Sequence, residues 1–241
     1  MGASLFSKNV GICSVVGRDY DIGCLRRLGI NMNGLRVLDG KTPRFLLDYS
    51  DPENRIIRGD LGVGSVLCPN FIPDSYFHSK WTHISTMIPE QQTEFIRCLR
   101  SRSYGGHISV DTNVEEHMSK NPSAVQEALS LSDMVFLNQT EYREAVRLGM
   151  NLSDKILVVK QGSEGARYIS SQKSIICKAP KVRCIDPTGA GDVFAGVFLA
   201  VLSISGDEEQ ALRQAVDTAS RSVEFFGVDG LLDDYPTQTF P

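Results

Sequence analysis

The sequence predicts an α/β fold, a doubly wound and mostly parallel sheet with helices on both faces and a small β hairpin beside it. Three observations predict it. Short apolar runs at Val10 to Val16, His107 to Val110, Met134 to Leu137 and Ile156 to Lys160 alternate with helix-like stretches near Glu90 to Arg102, Pro122 to Leu131 and Thr140 to Leu148. That is the pattern of buried strands joined by crossover helices. Two extended segments, Thr42 to Tyr49 and Asn54 to Arg58, flank Ser50, Asp51, Pro52 and Glu53 and read as a hairpin outside the alternation. Finally, Val193 to Leu202 is apolar almost all round and reads as a helix buried in a sizeable core.

Taken in order, the run Met134 to Leu137 ends on Asn138 and opens a helix from Thr140 to Leu148, closed by Gly149. On the residues alone Asn138 is either a strand-end turn residue or a functional group, and Glu141 is equally open as a favourable charge in a first helical turn. The β-branched run Ile156 to Lys160 breaks at Gly162 and Gly165 and resumes as Arg167, Tyr168 and Ile169, which reads as a hairpin. This loop matches neither the G-x-x-x-x-G-K-[ST] phosphate loop nor the dinucleotide fingerprint. Asp207 and Gln210 read as a capping box for a last helix, with Ala211, Leu212, Ala215, Val216, Ala219 and Val223 on one face and Gly227 ending it. Phe225 and Phe226 read as core residues.

Composition narrows the class of protein. A chain of 241 residues, 41% hydrophobic, can bury one large core or two small ones. With 25 Lys and Arg against 29 Asp and Glu, a net charge of −4, no basic stripe emerges and a nucleic-acid surface is not expected. Cys13, Cys24, Cys68, Cys98, Cys177 and Cys184 show no paired zinc spacing and read as reduced thiols of a cytoplasmic protein. His78, His83, His107 and His117 show no H-x-x-x-H spacing. The Val193 helix falls short of the roughly 20 apolar residues that a membrane span needs.

The chemistry concentrates at Asp186, Pro187, Thr188, Gly189, Ala190, Gly191 and Asp192, directly before the buried helix. Gly189 and Gly191 permit dihedrals closed to other residues and close approach of a ligand to the main chain. The first helical turn leaves N–H groups without intrahelical partners, and with the positive end of the helix dipole they make an anion site. A carboxylate there is either a general base or a helix cap, and Asp192 stands open between the two.

D-P-T-G-A-G-D before an apolar helix resembles the C-terminal signature of the PfkB family of carbohydrate kinases, the ribokinase-like enzymes that phosphorylate sugars, nucleosides and related alcohols. The resemblance implies a ribokinase-like fold with ATP and magnesium as cofactors. It makes Asp192 the base that deprotonates the acceptor hydroxyl, and the Gly189, Ala190 and Gly191 backbone the hole for the transferring phosphoryl group. Asn138 and Glu141 resemble the family's N-x-x-E motif, which organises magnesium and phosphates mainly through waters. Lys160, Gly162, Gly165, Asp186, Thr188 and Gly227 fall at nucleotide contacts. Asp111 and Asn113, after the strand His107 to Val110, fall at the border of the acceptor pocket.

Residues 35–60 resemble the family's β lid, which covers the acceptor and often supplies a homodimer surface. The resemblance covers nearly all of the chain as a single domain, 1–241. It begins late in the family pattern, because Met1 to Lys8 matches the helix that follows the family's first strand and glycine pair. The expectation is therefore an ATP-dependent kinase of a sugar, nucleoside or cyclitol hydroxyl, with no nucleic-acid or membrane partner. The alternative is a nucleotide-binding or regulatory relative, N-terminally shortened and impaired in catalysis.

Overall fold

The computed structural model describes residues 1–48, 56–113 and 117–227. The expected hairpin turn at Ser50 to Glu53 and the end of the chain from 228 lie outside the described residues. The chain divides into two compact units, Asn9–Tyr76 and a larger one formed by Met1–Lys8 with Phe77 onward.

In the smaller unit, β1 (Gly11–Gly17) leads through the short α1 (Gly23–Arg27) to β2 (Asn31–Leu38), and the two strands pair in parallel. The first apolar run, expected in the main sheet, thus lies in a two-stranded sheet of its own. Its alternation alone could not say which strands it would pair with. β3 (Arg44–Asp48) and β4 (Ile56–Asp60) form the expected antiparallel hairpin, with Phe45 opposite Gly59. Asp19 ties the two halves of this unit together. Its Oδ1 accepts from the Thr42 hydroxyl at 2.6 Å and the Thr42 amide at 2.9 Å, and its Oδ2 accepts from Arg44 at 2.8 Å. These bonds to Thr42, joined by Arg44, hold its carboxyl below the usual range.

The larger unit is built on a six-stranded sheet. Along the chain come β5 (Trp81–Ile84), α2 (Pro89–Ser101), β6 (His107–Asp111), α3 (Pro122–Leu131), β7 (Met134–Asn138), α4 (Gln139–Arg147) and β8 (Ile156–Lys160). These four strands are parallel neighbours in chain order, and β9 (Ala166–Ile169) and β10 (Ser174–Cys177) add an antiparallel edge. Three crossovers that all advance in one direction, each right-handed, set α2, α3 and α4 on the same face. The other face is taken by α5 (Ala190–Ser205) and α6 (Glu208–Ser222), whose apolar residues cluster with Met134, Phe136, Val158 and Tyr168. Met134 to Leu137 are all fully buried, as a strand covered on both sides must be. β5 and β10 escape a sequence reading because each has four residues, of mixed polarity.

α5 organises its face of the sheet. Phe194 and Phe198, one helical turn apart, meet Phe136 edge-on at 6.4 and 5.7 Å between ring centroids. Burying side chains of this size contributes about 2 to 3 kcal/mol each. On its outer side α5 receives the 3-10 turn Gly2–Leu5 at very close range. A Cβ at Gly196 would lie 2.7 Å from the Ala3 nitrogen, and one at Gly2 would lie 2.4 Å from the Val193 carbonyl oxygen. Only glycine lets these two backbones touch.

Asp207 caps α6 as expected, accepting from the amides of Glu209 and Gln210 at 2.9 and 3.0 Å. α6 ends at Ser222, before Gly227, and Phe226 is 87% exposed rather than in the core. Past Ser222 the helical repeat that was to carry Phe226 toward the core is lost.

Candidate active site

Parallel strands deliver their carboxyl ends to one edge of a sheet, and in open α/β folds that edge is where ligands bind. Asp111 ends β6, Asn138 ends β7 and Lys160 ends β8. Register decides which side chains meet. Asp111 lies opposite Phe136, Phe136 opposite Val158 and Asn138 opposite Lys160. With a period of two, Ser109, Asp111, Phe136, Val158 and Lys160 all lie on the face that carries α5. Apolar residues fill that face lower down, and polar ones replace them where α5 begins.

Lys160 Nζ donates to Asp111 Oδ1 at 2.8 Å, with both side chains largely buried. Burial alone would pull the Lys160 ammonium down, but the Asp111 carboxylate, helped by Glu141 and Asp192, outweighs it and the net shift is upward. The same ammonium lies 3.4 Å from where a Cβ would stand on Gly191, the second residue of α5. The strand-end charge and the helix start are therefore adjacent.

α5 begins without a side-chain cap. Its cap residue, Gly189, takes a φ of 79° that favours glycine, with open space where a Cβ would be. The Ala190 amide donates back to the Pro187 carbonyl at 3.2 Å, and the Val193 amide to the Gly189 carbonyl at 2.9 Å. Among the described residues, the amides of Gly191 and Asp192 have no backbone acceptor. The Ala190 amide is thus engaged within the turn, while those of Gly191 and Asp192 are not. Asp192 is solvent-accessible at the mouth of this cluster; burial of its inner side, then the Asp111 carboxylate, raises its carboxyl above the usual value.

Asp186 braces the loop that leads in. Its Oδ1 accepts from the Thr188 amide at 2.9 Å and its Oδ2 from the Gly227 amide at 3.2 Å, so Asp186, Thr188 and Gly227 come together. These bonds, Thr188 first, hold the Asp186 carboxyl below its ordinary value.

Asn138 and Glu141 form a reciprocal capping box on α4. Asn138 Oδ1 accepts from the Glu141 amide at 2.8 Å, while Glu141 Oε2 accepts from the Asn138 amide at 2.6 Å. Glu141 Oε2 also accepts from the Thr112 hydroxyl at 3.2 Å. Burial pushes the Glu141 carboxyl up to about 7, against the Asn138 amide and the Lys160 charge, which lower it.

Gly162 and Gly165 shape the β8–β9 connection. Both have positive φ, and a Cβ on Gly165 would lie 2.0 Å from the Cys177 carbonyl oxygen. The Asn113 carbonyl accepts from the amides of His117 and Met118, placing Asn113 at a turn just beyond Asp111. Thr112, Ser109 and His83 join this cluster although no motif marks them. Only the register of β5 and β6, which sets His83 opposite Ser109, could have found those two, and Thr112 joins through its bond to Glu141.

The donor set bears on a metal. No group of three His, Cys, Asp or Glu among the described residues could hold an ion directly. Asn138 Oδ1 and Glu141 Oε2 are spent on the capping box, which leaves Glu141 Oε1 as an oxygen to reach an ion through water. Magnesium, which keeps several of its waters, fits such a site. No helix among the described residues is long and apolar enough to cross a membrane.

Comparison with known proteins gives one family. A family described as pfkB family carbohydrate kinase matches residues 1–234. A cytidine kinase of Thermococcus kodakarensis is 27% identical over 240 residues, covering 93% of this chain and 85% of that protein. An ATP-dependent ribose-1-phosphate kinase of Halopiger xanaduensis is 27% identical over 220 residues, covering 86% of this chain and 72% of that protein. The crystal structure of a Methanocaldococcus jannaschii nucleoside kinase, described as an archaeal member of the ribokinase family, superposes with a TM-score of 0.78 at 24% identity. That match covers 97% of this chain and 84% of the other, and it shows the same fold.

Proposed function

Because the chain belongs to the pfkB family of carbohydrate kinases, we propose that it transfers the γ-phosphoryl group of ATP to a hydroxyl of a sugar, nucleoside or cyclitol, with Asp192 as general base. The observation that carries this reading is the start of α5, where two amides without backbone acceptors, the Asp192 carboxyl and the Lys160 ammonium converge. The cytidine and ribose-1-phosphate kinases among the relatives support a polyhydroxylated acceptor carrying a ribose ring.

Asp192 takes the hydroxyl proton as the acceptor oxygen bonds to the γ-phosphorus and the bond from that phosphorus to the β,γ-bridging oxygen breaks, releasing ADP; its raised carboxyl makes it a stronger base than an ordinary surface aspartate. The Gly191 and Asp192 amides, at the positive end of α5, donate to the oxygens on which negative charge gathers. One such donor can contribute about 3 to 4 kcal/mol. Lys160, fixed by Asp111, brings a positive charge beneath the same turn. ATP supplies the phosphoryl group and magnesium would offset phosphate charge, with Glu141 Oε1 reaching its water shell and Asn138 holding Glu141 in place through the capping box. Asp186, Thr188 and Gly227 hold the loop in shape beside the nucleotide. Gly162 and Gly165 border it, and Asp111 and Asn113 border the acceptor. By the same resemblance the β3–β4 hairpin serves as the lid. Its Phe45 and Leu46, 59% and 63% exposed, suit a surface for a second copy.

A phosphorylation screen across sugars, nucleosides and inositols tests this reading. We expect turnover of one acceptor class, with Asp192→Asn reducing the rate at least about a hundredfold. Nucleotide binding without turnover of any acceptor would overturn it in favour of a regulatory role.

A further inference from the structure

One largely buried titratable group has no part in the chemistry above. His83, on β5, lies opposite Ser109 in the β5–β6 register. Its Nδ1 lies 3.0 Å from Ser109 Oγ, and its ring meets Phe136 edge-on at 5.4 Å between centroids. Its Nε2 faces Asp111 Oδ2 at 3.8 Å, longer than a hydrogen bond but close enough to restrict where that carboxylate sits. A carboxylate only accepts, so the arrangement favours the proton on Nε2, with the Ser109 hydroxyl donating to Nδ1. Asp111 in turn holds Lys160, which lies beneath Gly191. The contacts run Ser109, His83, Asp111, Lys160, Gly191, from the inside of the sheet to the start of α5.

We propose that His83 is a positioning residue for nucleotide binding: held by Ser109, it fixes the Asp111 carboxylate, which fixes the Lys160 ammonium under the Gly191–Asp192 turn. The proposal rests on the kinase reading of that turn. On this reading His83 acts through Asp111 and not on the nucleotide or the acceptor. Without it, Asp111 has a second orientation open, and the charge of Lys160 is no longer delivered to one place. Small displacements of this kind weaken a bound transition state or phosphate far more than they weaken the fold.

Substitutions separate positioning from packing. His83→Gln places an amide nitrogen where Nε2 lies and keeps a donor toward Asp111, whereas His83→Asn keeps only the end that meets Ser109. Affinity for magnesium adenylyl imidodiphosphate, measured by calorimetry beside the melting temperature of each variant, reads the difference. We expect His83→Asn to lose about tenfold in affinity and His83→Gln to stay close to wild type. Ser109→Ala, the mildest change in the chain of contacts, is expected to fall between them and keeps the idea testable if a His83 variant fails to fold. Equal affinities in all variants, or affinities that simply follow melting temperature, would overturn the proposal. A wild-type protein that binds no nucleotide would instead bring down the kinase reading, and this inference with it.

Discussion

Lys160 reaches Asp111 across an intervening strand. The two residues end β8 and β6, which flank β7, yet their side chains meet at 2.8 Å over the Phe136 position. Strands two apart are separated by about 9 to 10 Å, a gap the long lysine side chain spans. Removing the ammonium leaves a buried carboxylate uncompensated. Lys160→Met is therefore expected to lower stability by about 3 kcal/mol in urea unfolding, and Lys160→Met with Asp111→Asn to recover much of that. A double variant no more stable than the single one would show that the pair is not coupled.

Glu141 gives the protein a definite dependence on pH. Its carboxyl, at about 7 in the folded state, lies well above its unfolded value near 4.3, so between those values the folded state holds a proton that the unfolded state has released. Stability is expected to fall as pH rises through that window and then to level off, by at most about 4 kcal/mol. Glu141→Gln keeps an acceptor for the Asn138 amide and abolishes the titration, so its unfolding free energy should be flatter from pH 5 to pH 8. A wild-type profile equally flat would count against a raised Glu141.

Gly196 and Gly2 set the distance between α5 and the turn Gly2–Leu5. Gly196→Ala forces a methyl to 2.7 Å from the Ala3 nitrogen, at an expected cost of about 1 to 3 kcal/mol despite alanine's better helix propensity. Thermal unfolding would show a lower melting temperature, whereas a rise would mean that the turn yields freely.

Asp192 acts on the acceptor rather than on the nucleotide if it is the base. Asp192→Asn should then reduce kcat at least about a hundredfold while leaving the affinity for magnesium adenylyl imidodiphosphate within about threefold. A parallel loss in both would make Asp192 a helix-start residue and not a proton acceptor.

Much of this architecture is legible in the chain, and the rest is hidden for definable reasons. The strands β7 and β8 announce themselves as apolar runs and β6 by its alternation of Ile108 and Val110 with polar residues, and α3 falls on the expected Pro122 to Leu131 because Asn121 caps it and Pro122 opens it. β1 is equally apolar, but its partner is β2, and pairing is a property of two segments that one run cannot reveal. At the site, glycines and Asp192 stand out because their spacing has no ordinary purpose before so apolar a helix. His83, Ser109 and Thr112 do not, since they acquire partners only through strand register. The capping role of Asn138 and Glu141 was visible in principle, because they stand three positions apart at the mouth of a helix.

The unfinished start of α5 has a consequence for how this protein behaves in solution. A helix that opens on bare glycine lacks the oxygen that ordinarily completes its first turn, so any small oxyanion of suitable charge can supply it. On the proposed kinase reading, sulfate or phosphate in the buffer is then expected to compete for the bonds that a transferring phosphoryl group would use.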